Sequence, residues 1–138
     1  MRFMVLVKAT QRSEAGELPK REELAEMGRF NEELLKAGVM LAGDGLQSSS
    51  KGARIKFGGP KPIVTDGPFT ETKELLAGYW IIQAKSKAEA IEWMSRAPFK
   101  EGEIEIRQVF EAEDFGEELA PEMRERFARV CEQAAGKR

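Results

Sequence analysis

The chain has 138 residues, 33% charged and 41% hydrophobic, with a formal net charge of -2. That size and balance suit one folded domain with a modest core, and they exclude both a disordered chain and a broad basic field for nucleic acid. With no histidine and one cysteine, Ser-His-Asp and Cys-His catalysis, histidine-ligated haem or zinc, an intrachain disulfide and a thiolate cluster within the chain are also excluded.

From the N-terminus, Arg2-Phe3-Met4-Val5-Leu6-Val7-Lys8 is a nearly continuous apolar run, predicted as a central strand buried on both faces. Met1 to Ala9 is too short for a secretory leader and lacks a cleavage site. No run of about 18 apolar residues can span a membrane, so the cytoplasm is the expected compartment. Ser13 to Leu18 reads as a loop. Pro19 then opens a helix with Glu22 and Glu23 early, where negative charge suits the helix dipole. Leu24, Met27, Phe30, Leu34 and Leu35 fall on one arc of that helix, and Gly38 ends it.

Val39 to Gly43 is predicted as the second strand, with Asp44-Gly45 as its turn. Gln47 to Gly52 reads as a polar loop. Ala53 to Phe57 and Pro62 to Thr65, joined through Gly58-Gly59-Pro60, form an inserted hairpin. Leu75 to Ala84 is rich in aromatic and β-branched residues and reads as a strand. Ser86-Lys87-Ala88-Glu89 is a capping box for a helix that buries Ala90, Ile91, Trp93, Met94 and Ala97 and stops before Pro98. Glu103 to Phe110 alternates as the last strand. Pro121 starts a third helix with Met123, Phe127, Val130, Cys131 and Ala134 at helical spacing, which makes Cys131 a packing residue rather than a nucleophile.

The order is βαββαβ with an inserted hairpin and a C-terminal helix, an α+β subunit. Two helices cover one sheet face, yet the first and third main strands are apolar at both alternating sets: Phe3, Val5, Val7 with Trp80, Ile82, and Met4, Leu6 with Tyr79, Ile81. The second face therefore needs its own cover, either a symmetric partner or the C-terminal helix of the same chain.

Val64-Thr65-Asp66-Gly67-Pro68-Phe69-Thr70-Glu71-Thr72-Lys73-Glu74 through Gly78-Tyr79 resembles the signature of the YCII-related family, in particular its DGPF branch. The opening strand, the Ala42-to-Leu46 turn, the Ala53-Arg54 strand, the Glu89-Ala90 helix and the Glu103-to-Arg107 strand also resemble their counterparts. Residues 1–112 thus read as the YCII-related domain, and 113–138 as a C-terminal helical extension of it. The resemblance implies a ferredoxin-like subunit that pairs into a dimeric α+β barrel. Other YCII-like proteins carry a His-Asp pair proposed as catalytic. Here only the acid is available, as Asp66.

Proton transfer must use Asp, Glu, Lys, Tyr, Arg or water. Asp66 is either a turn residue beside Gly67 or a candidate base at the mouth of a barrel. Glu71 is a second candidate for moving a proton, against a solvated turn. Arg54 and Lys73 are candidate anchors for an anionic ligand. Lys8 and Asp44 end strands that can face a shared pocket. Tyr79 is core or a cavity-lining donor. The functional expectation is a homodimer that binds a small molecule, without cofactor or metal, and carries out isomerase, lyase or cofactor-free oxygenase chemistry. The alternative, which rests on what the resemblance implies, is a non-catalytic ligand-sensing or regulatory protein associated with sigma-factor-type transcription control, with Pro121–Ala134 as its contact surface. Neither direct nucleic-acid nor membrane contact is expected.

Overall fold

The computed structural model describes residues 1–70 and 74–136. It divides into two compact units, Met1–Gln108 and Val109–Arg138.

The first unit holds β1 (Arg2–Lys8), α1 (Gln11–Glu14), α2 (Arg21–Lys36), β2 (Met40–Gly45), β3 (Ala53–Lys56), β4 (Ile63–Asp66), β5 (Leu76–Gln83), α3 (Lys87–Met94) and β6 (Ile104–Gln108). Four strands form one sheet in the order β2-β5-β1-β6, every neighbouring pair antiparallel. This is the ferredoxin-like α+β arrangement that the element order implied. The two most apolar strands, β1 and β5, take the centre, where both edges are hydrogen-bonded.

Alternation sorts the side chains. Val5 lies opposite Trp80 and Ile106, and Phe3 opposite Ile82, so these residues share one face. That face buries Phe3, Val5, Trp80 and Ile82 against Phe30 and Leu34 of α2 and Ala90 and Met94 of α3. The Trp80 ring meets Phe30 and Phe99 edge-on, and its indole N–H donates to Asn31 Oδ1 at 2.9 Å. This bond satisfies the one polar group of a buried ring. A Cβ at Gly43 would fall 2.8 Å from both Met40 Cε and Trp80 Cδ1, so the strand can cross the indole only as glycine.

Several details depart from the sequence reading. The buried stripe of α2 is narrower than its apolar arc: Leu24 and Leu35 are exposed. Ile91 of α3 is exposed as well. Asp44 and Gly45 continue β2 instead of turning it, because Gly45 pairs with Gly78, where a Cβ would press on the Asp44 carbonyl at 3.0 Å. The segment read as a loop from Ser13 includes the end of α1, a single turn capped reciprocally by Thr10 and Ser13. At α3, Ser86 Oγ accepts from the Glu89 amide at 3.1 Å, whereas Glu89 reaches one residue further back, to the Lys85 amide at 3.1 Å.

The second sheet face carries Met4, Leu6, Tyr79 and Ile81, half-buried rather than fully buried as expected for β1. β3 and β4 form a separate two-stranded sheet in which all eight residues are exposed.

The second unit contains a 3-10 segment (Ala112–Glu118) and α4 (Pro121–Gly136). Phe110 stacks on Phe115 at 5.0 Å, and Phe115 meets Phe127 edge-on at 6.4 Å. No residue of α4 is buried, and Cys131, read as a packing residue, is exposed. Among the described residues no helix is long and apolar enough to cross a membrane.

Candidate functional site

The DGPF turn is built as a clasp at the root of the hairpin. Asp66 ends β4 opposite Ala53, and the Gly67 amide donates to the Gly52 carbonyl at 3.0 Å. A Cβ at Gly67 would overlap the Ser49 carbonyl oxygen, so this crossing requires glycine. The Gly67–Pro68 peptide is cis. Past it, the Phe69 amide donates to Ser49 Oγ at 3.0 Å. Ser49 is itself held by Glu14 of α1, whose carboxylate accepts both the Ser49 amide, at 2.9 Å, and the Ser49 hydroxyl. The half-buried Phe69 ring lies under the Arg54 guanidinium, 3.9 Å from its centroid. The clasp thus joins three segments far apart in sequence, and its two bonds to the Glu14 carboxylate are stronger than neutral ones.

Asp66 itself is exposed, as is Arg54. The carboxylate of the signature therefore faces solvent in the single chain, and the structural work is done by Gly67, Phe69, Ser49 and Glu14. Glu71 and Lys73 lie outside the described residues.

A different group of predicted residues converges on the second sheet face. Asp44 and Tyr79 are cross-strand partners, and the Tyr79 hydroxyl donates to Asp44 Oδ2 at 2.9 Å. Leu6 is the next partner of Tyr79 across the sheet, followed by Glu105. Glu105 Oε1 receives Lys8 Nζ at 3.2 Å, and its other oxygen lies 4.0 Å from Arg107 Nε. Two polar pairs thus flank an apolar strip of Met4, Leu6 and Ile81. Glu105 and Arg107 were not singled out in the sequence, although their alternation with Ile104 and Ile106 already placed them opposite the core.

Lys8 also borders a cleft of about 500 Å³ at the end of the sheet, floored by Val7, Ala77, Phe99 and Ile104 and rimmed by charges including Arg12, Glu23 and Lys100. Asp66 and Arg54 do not line it. On its rim Arg12 donates to Glu17 at 3.0 Å and lies 3.6 Å from Glu23. The Glu17 hydrogen bond, with Glu23 beside it, raises the guanidinium above its ordinary value. The Glu23 carboxyl is held below its ordinary range, first by the Lys20 amide that donates to it at 3.1 Å and then by Arg12. Among the described residues no group of three or more acidic or thiol side chains is placed to hold a metal ion.

The antiparallel sheet in the order β2-β5-β1-β6, with α2 and α3 packed on one face, defines a ferredoxin-like α+β domain. A family model for the YCII-related domain matches residues 1–113, and the chain belongs to that family. It is 34% identical over 67 residues to an uncharacterized protein of Rhizobium meliloti (strain 1021), a match covering 46% of this chain and 54% of the relative. The chain thus aligns with about half the length of that relative. Among solved structures, it resembles the 5-chloro-2-hydroxyhydroquinone dehydrochlorinase of Burkholderia phenoliruptrix AC1100 in complex with 2,5-dihydroxybenzoquinone. The TM-score is 0.47 at 16% identity, over 83% of this chain and 98% of that one.

Proposed function

We propose that two copies pair the sheet faces opposite α2 and α3 into an α+β barrel, and that the enclosed space binds a small anionic molecule and carries out acid–base chemistry on it without histidine. The observation that carries this reading is the Tyr79–Asp44 hydrogen bond, set beside the Lys8–Glu105 pair on a half-buried apolar face. Covering that face would remove apolar surface from water and leave polar groups already partnered, as an enclosed site requires. Within it, Asp44 orients the Tyr79 phenol and is the group placed to take a proton from the ligand. Lys8, turning from Glu105, is the anion anchor. Asp66 and Arg54, exposed in one protomer, join such a site only if a partner closes over them.

The test is native mass spectrometry of freshly purified protein, with sedimentation equilibrium to fix the assembly. A dimer that retains a small molecule, and loses it on Tyr79→Phe or Asp44→Asn with the circular dichroism unchanged, is the expected result. A strictly monomeric protein removes the barrel. Full ligand retention by both variants moves the site elsewhere, and Asp66→Asn in the same assay asks whether it lies at the clasp.

The regulatory reading draws its support from α4, which exposes Met123, Phe127 and Val130 on one side. An apolar helix face of that kind marks a contact surface.

A further inference from the structure

Two stretches of the chain carry charge of a single sign. Between Asp44 and Asp66 stand Lys51, Arg54, Lys56 and Lys61 and no acid. Between Arg107 and Arg124 stand Glu111, Glu113, Asp114, Glu117, Glu118 and Glu122 and no base. Elsewhere the signs interleave, as in Lys20-Arg21-Glu22-Glu23. The basic stretch contains β3 and the hairpin tip; the acidic one is the 3-10 segment and the first turn of α4.

Each stretch also exposes apolar side chains. Ile55 and Val64 are cross-strand partners on one face of the hairpin, 55% and 63% exposed, and Phe57 beyond them is 74% exposed. In the second unit, Phe110 is 64% exposed and stacks on Phe115, which is 41% exposed. A two-stranded hairpin with both faces in water is marginal without further packing. An apolar centre inside a charged rim is the anatomy of a specific interface, and rims of opposite sign steer the two surfaces together.

We infer that the hairpin of one copy docks on the C-terminal aromatic cluster of a second copy, with Ile55 and Val64 against Phe110 and Phe115 and the lysines facing the glutamates. A second copy is the occupant because it carries both halves of the complementarity. Reciprocal docking in a two-fold pair satisfies two basic and two acidic surfaces and closes the assembly. A foreign acidic partner would cover the hairpin and leave the chain's own acidic cluster unmatched. The contact is independent of the site chemistry, and it can accompany sheet-face pairing or stand without it.

Charge reversal in both directions tests it. One full-length variant carries Lys51→Glu, Lys56→Glu and Lys61→Glu; the other carries Glu113→Lys, Glu117→Lys and Glu118→Lys. Circular dichroism checks folding, and sedimentation equilibrium gives the dissociation constants. Each variant alone should associate about tenfold or more weakly than the natural chain. An equimolar mixture should recover the natural affinity as a heterodimer, since both of its contacts then pair opposite signs. Natural affinity in both separate variants overturns the contact. So does a weakened pair that mixing fails to rescue, because the charges then act within one chain. The unmodified protein supplies a check that needs no variant: its self-association should weaken about tenfold between roughly 50 and 500 mM salt, and salt-independent association counts against the proposal.

Discussion

The four-stranded sheet and the β3–β4 hairpin are built from the same kinds of residues but held by different forces. The sheet is held by burial: Phe3, Val5, Trp80 and Ile82 lose their water against two helices. The hairpin has Ile55, Phe57, Ile63 and Val64, and all four remain exposed. Its conformation is set at its root, where Gly67 crosses Ser49 and the Glu14 carboxylate holds Ser49 in place. Apolar content therefore does not say which region is a core. What matters is whether topology brings a second layer over it, and two amphipathic helices do this for the sheet alone.

If that distinction is right, substitutions in the two regions should separate global from local stability. The largest effect is expected at Ile82, which is fully buried at the centre of the core. Ile82→Ala should lower global stability by about 2–5 kcal/mol, read from urea unfolding, with no selective change in the hairpin. Gly67→Ala comes next. Its new methyl collides with the Ser49 carbonyl, and roughly 1–3 kcal/mol of overpacking strain should open the hairpin locally. Hydrogen exchange should then speed up at the β3 and β4 amides while β1 and β5 keep their protection. Equal acceleration in both regions would abolish the distinction.

Ser49→Ala leaves the turn its shape but removes the hydroxyl that links Glu14 to the Phe69 amide. A loss of about 1–2 kcal/mol is expected, again in the hairpin amides and not in the urea midpoint of the core. The smallest effect concerns Glu23 at the start of α2. Its folded pKa is depressed, so the stability it contributes is present above its unfolded value, about 4.3, and is lost as pH falls through the folded one. Glu23→Gln should therefore narrow the gap in thermal midpoint between pH 7 and pH 3, and an unchanged gap would remove this contribution.

The main strands were legible in composition: the aromatic and β-branched run at Leu76–Gln83 reads as a strand and the apolar run at Arg2–Lys8 as a central one. Asp44-Gly45 misled because the same dipeptide that makes a turn can also let two strands approach, and the deciding neighbour, Gly78, lies 33 residues from Gly45. Glu14 was invisible for the same reason: it lies 35 residues from Ser49, inside a single helical turn too short to announce itself. In the candidate site, Lys8 and Asp44 were legible as strand ends able to face a shared pocket, and Tyr79 as a core or cavity-lining donor. Their pairing was not, since Lys8 meets Glu105 only through the β1–β6 adjacency of the folded sheet.

Trp80 lies buried in the core, hydrogen-bonded to Asn31, while Trp93 lies on α3 with the Arg96 guanidinium over its ring at 4.6 Å. These two tryptophans and Tyr79 account for the chain's near-ultraviolet absorbers apart from phenylalanine. None belongs to the hairpin. Intrinsic emission therefore reports the helix-covered sheet and is blind to the arm: a sample can display the full fluorescence of the native fold with its hairpin detached. A fluorophore coupled at a cysteine replacing Phe57, in a Cys131→Ser background, would give the arm a signal of its own.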